Sequence, residues 1–387
     1  MSPFRPLTAA TPRLIRILGV LALVAAGAPR AGAILELNEG RDRFVVNADY
    51  GVTYDSNHFE HSGSEGDYNQ SLSVGADYVR RAGLIGVDAS VSVTTARFRK
   101  FSADDFTNPS FALDFTKGKG RLTGSFRLSA QRESRGEVVV NLWTNSWHYG
   151  SNLTFRYPFS DRYYVTSTSA YDLRDYLQSS ALFDLASYSE GLDAFYVYSS
   201  KLDLLGGYRI RWGDAQGGTR SLDQAVTMGA TGGILPKLSG SIRAGYQWRN
   251  ETGAGGGNYG SFTTNVSLAW PVTKQITFNG QVSEDFMTSA TDVSVDTTGL
   301  TLTASFKPNT RLKVALETSA SYLVNRFLGI RGAGREDWAT EFTADLSIPI
   351  KTHLAVALSY GYTDNHSNVA FAQFARHTAA LKLSAHY

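Results

Sequence analysis

The sequence predicts an all-β fold, a transmembrane antiparallel β-barrel of about 18 strands with short periplasmic turns and longer extracellular loops. Three observations predict it. From residue 43 onward apolar side chains recur at every second position, short and long connections strictly take turns, and Tyr and Trp gather near the ends of the strands. Period 2 puts alternate side chains on opposite faces of an extended chain. Outer-membrane barrels are the architecture in which that alternation is combined with short turns at one rim and longer loops at the other.

Composition narrows the field first. The chain has 387 residues, 42% of them hydrophobic and 19% charged, with 37 Gly, 20 Tyr, 21 Phe and no Cys. It is too long and too aromatic for a disordered polar tail. A mean hydropathy of −0.20 is too low for a bundle of helical spans, each of which needs roughly 20 consecutive apolar residues. The missing cysteines exclude disulfide scaffolds, thiolate metal sites and cysteine nucleophiles, and suit passage through an oxidising periplasm.

Residues 1–33 read as a secretory signal peptide. Arg5, Arg13 and Arg16 form a basic start, Ile17 to Ala28 an apolar core, and Ala31-Gly32-Ala33 a small-residue cleavage site. The mature chain is then expected to begin at Ile34, with a short periplasmic segment over 34–42 and the barrel over 43–387. Removing the four arginines of the leader leaves 33 Lys and Arg against 35 Asp and Glu, a net charge of −2. The basic pI of the full chain therefore gives no support to nucleic-acid binding.

The strands follow in order. Phe44, Val46, Ala48, Tyr50, Val52 and Tyr54 alternate with polar or small residues, and so do Leu312, Val314, Leu316, Ala320 and Tyr322, and Leu354, Val356, Leu358, Tyr360 and Tyr362. Tight reversals are expected at 81–83, 117–120, 158–162, 199–201, 236–237, 271–274, 308–310 and 349–352. Between them lie longer polar links at 55–67, 100–109, 134–139, 177–184, 213–220, 250–258, 288–292, 328–336 and 363–376. These make nine hairpins and about 18 strands with both ends on the periplasmic side. At about 10 residues per crossing the strands use roughly 180 residues, leaving ample chain for the connections.

Aromatic side chains favour the lipid–water boundary, where a ring is half wet. On this threading Tyr78, Phe115, Tyr157, Tyr163, Tyr198, Trp270, Phe306 and Tyr387 fall near the short-turn rim. Tyr54, Trp147, Tyr149, Tyr171, Trp212, Tyr246, Trp248, Tyr322, Trp338 and Tyr360 fall near the long-loop rim. The last strand carries Ala379, Leu381, Leu383, Ala385 and Tyr387 on one face, and resembles the C-terminal signal recognised by the barrel-assembly machinery of Gram-negative bacteria.

Eighteen tilted strands enclose a cylinder of roughly 18 Å backbone radius, too wide for side chains to fill. Water, an inserted loop or cargo is expected inside. Candidate lumen-lining basic residues are Arg127, Arg156, Arg174, Arg209, Arg211 and Arg243 on the middle strands. Candidate acidic ones are Asp49, Asp77, Asp88 and Asp114 on the first strands and Glu317, Glu341 and Asp345 on late ones. Ring closure would set the acids opposite the basic arc, giving a transverse field that favours anionic or zwitterionic groups along the Arg wall. The plainer expectation is that these charges keep the interior wet and satisfy each other locally, with Asp172, Asp193 and Asp203 at hand for neighbouring arginines.

The opening strand with Tyr50-Gly51-Val52-Thr53-Tyr54, followed by Asp55-Ser56-Asn57, resembles the start of the Putative beta-barrel porin 2 family. That resemblance implies a pore, and since members often belong to exopolysaccharide export systems, a conduit for polysaccharide. Polysaccharide cargo and periplasmic export proteins would then be partners, beside outer-membrane lipid and lipopolysaccharide. A general or solute-selective diffusion porin is the first alternative, and a surface adhesin or scaffold using its loops the second. Leu177, Leu182 and Phe183 in one loop and Phe371 and Phe374 in another are apolar enough to fold into the lumen, cap it or meet a partner.

An enzyme is not expected. There is no G-x-S-x-G or Walker A run, and the seven His are scattered. His58-Phe59-Glu60-His61 reads as a solvated loop. No cofactor or metal site is expected. A plugged transporter of 22 strands would need far more chain before the first strand.

Overall fold

The alternating segments become long strands because a chain with one apolar and one polar face gains most by joining a sheet. In the computed structural model, residues 35–37, 41–63, 65–81, 83–137, 142–177, 182–253, 256–308, 314–329, 332 and 334–386 are described. The expected leader, its cleavage site and Tyr387 lie outside them. A short strand β1 (Leu35–Leu37) precedes β2 (Asp42–Asp55), β3 (Asp67–Arg80), β4 (Gly86–Phe98), β5 (Phe106–Lys117), β6 (Thr123–Glu137) and β7 (Leu142–Pro158). Then come β8 (Tyr163–Tyr176), β9 (Leu185–Val197), β10 (Leu202–Ala215), β11 (Arg220–Leu235), β12 (Leu238–Thr252) and β13 (Asn258–Pro271). The last six are β14 (Ile276–Thr288), β15 (Ser294–Phe306), β16 (Ala315–Phe327), β17 (Glu336–Lys351), β18 (Leu354–Ser367) and β19 (Phe374–His386).

Each strand from β2 to β19 pairs antiparallel with its neighbour in sequence, and β19 returns to β2, so the wall is a closed barrel of 18 strands. The closing ladder runs from Thr378 opposite Asp55 to His386 opposite Asn47. Within 34–42, which was expected to be a plain periplasmic segment, β1 pairs with Asp42 to Phe44 and so continues along the edge of β2 below the end of β19.

Apolar side chains are on the outside. Val74, Val91, Leu192, Val226, Leu302, Leu358 and Leu381 are all exposed, and among the described residues the one cluster of buried apolar residues consists of Tyr164, Phe195 and Leu205. A water-soluble sandwich would bury its Val and Leu between layers, whereas this pattern has its hydrocarbon face turned to lipid. Tyr157, Tyr163, Tyr198 and Trp270 are exposed near one rim and Tyr149, Tyr171, Trp212, Tyr246 and Tyr360 near the other, as the two girdles require.

Strands of 12 to 17 residues are longer than the 9–11 that cross a bilayer, and their surplus stands above the long-loop rim. Several links are therefore shorter than expected. The β10–β11 link is confined to 216–219 instead of 213–220, and the β18–β19 link to 368–373 instead of 363–376. Polar residues above the lipid pair in a ladder as readily as in the wall, so composition alone does not mark the end of a strand. The two-residue reversal Pro236-Lys237 sets Lys237 at φ 69, a left-handed position an L residue adopts only in such a tight turn.

One stretch of wall is irregular. β12 pairs with β13 from Asn258 to Ala269, but β13 pairs with β14 only over Thr264–Pro271, opposite Glu284–Thr277. The β14–β15 ladder nevertheless continues from Ile276–Phe306 up to Thr288–Ser294. While β15 stays paired with β16 up to Val295 opposite Phe327, β14 parts from β13 above Glu284 and turns inward. Its position is fixed by contacts with Arg209, Arg211 and Arg249, which belong to the inner face of β10 and β12. What enters the lumen is an edge of the wall itself, the upper part of β14.

Candidate functional site

On β10 the exposed residues Leu204, Tyr208 and Trp212 face lipid, so Arg209 and Arg211 face inward. The same alternation sets Asp223 and Ala225 on β11 and Gln247 and Arg249 on β12 on the inner face. The Arg209 guanidinium donates to Asp285 through both terminal nitrogens, at 3.0 and 2.7 Å. Arg211 donates from Nε to Asp223 at 2.8 Å and from Nη1 to Asp285 at 3.2 Å. Arg249 holds Asp223 with a two-pronged contact at 2.6 and 2.8 Å. Planar guanidinium and carboxylate groups match in this fork geometry, which gives the strongest class of side-chain hydrogen bond.

The same arginines repair the backbone. Leaving β13 strips the edge of β14 of its ladder partners, and unpaired buried carbonyls are costly. The Phe286 carbonyl accepts from Arg211, the Met287 carbonyl from Arg249 at 2.9 Å, and the Glu284 carbonyl from the Thr263 hydroxyl at 3.0 Å. On the facing edge the Phe262 carbonyl accepts from Gln247 Nε2 at 3.3 Å and from Ser261 Oγ at 3.0 Å. Arg249 also donates to Ser294 Oγ at 2.6 Å and lies over the Phe286 ring, and Ser294 in turn donates to Glu251. Arg249, Asp223 and Gln247 are almost wholly buried. The tip of the hairpin is held as well. Both the backbone N–H and the hydroxyl of Thr219 donate to Asp292, and the Phe183 N–H donates to the Ala290 carbonyl at 2.9 Å.

The remaining sequence-predicted residues spread around the inner face. Arg243 meets Asp193 at 2.9 Å across two intervening strands, a reach made possible by Gly207, where a Cβ would lie 2.0 Å from the Asp193 carboxylate. Arg174 pairs with Glu133 at 3.1 Å and Arg127 with Asp114 at 3.8 Å. Arg156 stacks on Tyr164, 3.9 Å from the ring centre. Asp49 meets Lys382, Asp77 accepts from Asn47, and Asp88 accepts from Arg81. Asp49 and Asp77 border a cavity of about 460 Å³ whose lining includes Ser73, Ser90, Ser92 and Ser384. Glu317 accepts from Ser305 and is opposite Asp345 in the ladder, while Glu341 is opposite Thr363. Of the three carboxylates expected to serve neighbouring arginines, Asp193 does so. Asp172 instead meets His148, and Asp203 accepts from the Tyr164 hydroxyl.

Four residues of the site escaped the sequence reading: Asp223, Arg249, Asp285 and Arg376. Arg376 on β19 holds Asp55 on β2 at 2.7 Å and also pairs with Glu60, tying the first loop to the closing seam. Burial raises the pKa of the Glu60 carboxyl, and Arg376 pulls it back. The first loop is not the solvated segment expected from His58-Phe59-Glu60-His61. His58 is 2% exposed, enclosed by Phe59, Phe98, Phe101 and Trp143, with Asp104 at 2.9 Å from Nε2. The neighbouring Phe and Trp rings supply an apolar pocket that a loop-by-loop reading cannot assemble.

The family described as Putative beta-barrel porin 2 matches residues 206–387. No curated protein matches the sequence. Solved structures similar to this chain include the outer membrane protein opdK of Pseudomonas aeruginosa, 9% identical, covering 89% of this chain and 99% of that one with a TM-score of 0.48. OccK2 (OpdF) of the same organism is 10% identical over 91% and 98%, with a TM-score of 0.49. OccAB4 of Acinetobacter baumannii is 10% identical over 89% and 98%, with a TM-score of 0.47. With an 18-stranded wall, an apolar exterior and a family match from β10 to the C-terminus, the chain is an outer-membrane β-barrel of the porin type that resembles the Putative beta-barrel porin 2 family.

Proposed function

We propose that the protein is a diffusion porin for small polar solutes, exported by a cleaved leader over residues 1–33 and embedded among outer-membrane lipid and lipopolysaccharide. The observation that carries this reading is the inturned upper part of β14. A barrel of this strand number has space for a wide channel, and the inturned β14, latched to β10 and β12, would narrow its mouth. Such a mouth suits small solutes better than a polymer strand.

Most of the basic arc is matched: Arg127, Arg174 and Arg243 by Asp114, Glu133 and Asp193 within the wall, Arg211 by Asp223, and Arg209 and Arg211 by Asp285 of the inturned β14. This supports a wet, locally neutral interior over a strong transverse field. Neutralising Arg209 and Arg211 then acts through β14, widening the mouth, and not through ion selectivity alone.

Liposome swelling tests the reading. Vesicles containing the purified barrel should swell in isotonic monosaccharide or amino acid and stay unswollen in dextran. Equal swelling in both would contradict it. Conduction of a polysaccharide is the second reading and rests on the resemblance of the opening strand and the family match. For the adhesin reading the loops divide: Leu182 and Phe374 are buried against the barrel, whereas Leu177 and Phe371 are exposed.

A further inference from the structure

We propose that the upper part of β14, with β15 kept in its ladder to β16, is a movable edge of the wall with two registered positions: turned into the lumen, as described above, or zipped onto β13 so that the wall is complete and the mouth is open. Only the electrical readout of this proposal rests on the porin reading.

Side-chain parity gives the first argument. On β14 the residues Phe278, Val282 and Phe286 share one face, and Phe278 is exposed on the lipid side. Phe286 breaks the pattern, being 2% exposed and packed on Arg249 inside the barrel. Its side of the strand faces lipid at Phe278 and carries Glu284 next to it, and at Phe286 is turned to the interior.

Register gives the second. Continuing the β13–β14 ladder past Thr264–Glu284 sets Thr263 opposite Asp285, Phe262 opposite Phe286 and Ser261 opposite Met287. In that position Phe286 reaches the lipid side next to Phe262, which is 72% exposed and neighbours Tyr246 of the upper girdle. A cross-strand aromatic pair at that level is favourable. Asp296, opposite Phe286 on β15, is already opposite Arg326 on β16, so zipping leaves that ladder unchanged.

The chemistry of the two edges gives the third. The carbonyls of Phe286 and Phe262, opposed in the extended register, are met by Arg211 and by Gln247 and Ser261 in the tucked position. Side chains that can let go thus replace bonds that a finished sheet would make permanently, so both positions have satisfied backbones. Gly299, opposite Ser283 just below the point of departure, removes a side chain where the strand must bend.

The chain has no cysteine, so disulfides report on either position without interference, given that a bridge needs Cα atoms within about 7 Å. Thr219→Cys with Asp292→Cys joins residues that touch in the tucked position. Ser261→Cys with Met287→Cys joins residues opposed only in the zipped one. Heat-modifiable mobility on a gel confirms that each variant is folded. Both pairs should oxidise; the first should hold single channels at a low conductance that rises on reduction, and the second should hold them at the high level. If Ser261→Cys with Met287→Cys never crosslinks in the folded barrel while the other pair does, the edge is fixed and the proposal fails. Conductance indifferent to reduction in both pairs would also overturn it. A barrel that conducts in no form would sink the porin reading instead, while the crosslinks would still decide whether the edge moves.

Discussion

Two seams of the barrel are built differently. Where β19 meets β2, nine residue pairs from Thr378–Asp55 to His386–Asn47 close the ring by backbone, and Arg376 adds a contact to Asp55 above them. Where β13 meets β14, eight pairs hold the lower half and side chains take over above Glu284. A backbone ladder is indifferent to side-chain identity, whereas a side-chain latch fails with a single substitution. The first seam should tolerate change and the second should not.

The largest effect is expected at the latch. Asp223→Ala leaves Arg249 buried with half its partners gone, and breaking a buried pair typically costs about 3–5 kcal/mol. Denaturant unfolding in detergent micelles should show a loss of that order, together with a raised open-channel conductance. Leu192→Lys, on the lipid face, comes next, at roughly 2–4 kcal/mol if it lies near the bilayer midplane, read by unfolding from lipid vesicles. Its channel properties should be unchanged, since it touches neither the lumen nor the hairpin.

Arg376→Ala sharpens the comparison from the other side. It removes a contact from a seam already closed by nine backbone pairs, so the barrel should stay closed and heat-modifiable, with a loss smaller than that of Asp223→Ala and faster proteolysis confined to 56–63. The smallest effect is expected for Glu65→Gln, whose partner Lys100 is at the exposed mouth. Exposed pairs contribute little, so its unfolding midpoint should coincide with that of the unaltered chain.

These seams also mark how far the sequence could be read. Strand order, the tight reversals among the described residues and the outward face were legible because each depends on neighbours: Leu354 to Tyr362 declare their face by simple alternation. The inturned edge of β14 was not, because Phe278, Val282 and Phe286 carry the same parity and nothing local separates the one turned inward. Asp285 reads as one more inner-face carboxylate until Arg209, 76 residues away, is set against it. His58 was misjudged for the same reason, as Phe98, Phe101 and Trp143 come from separate segments. Local periodicity reports which face a residue shares, but not where the strand leaves the wall.

The central claim is that one face of the wall meets lipid all the way round, except where β14 turns in. Single cysteines at Leu302 and Phe286, each carrying a bimane label in vesicles that contain lipid-borne quencher, test it directly. The account predicts strong quenching at Leu302 and weak quenching at Phe286 despite their shared parity. Equal quenching at the two positions, or none at Leu302, would contradict it.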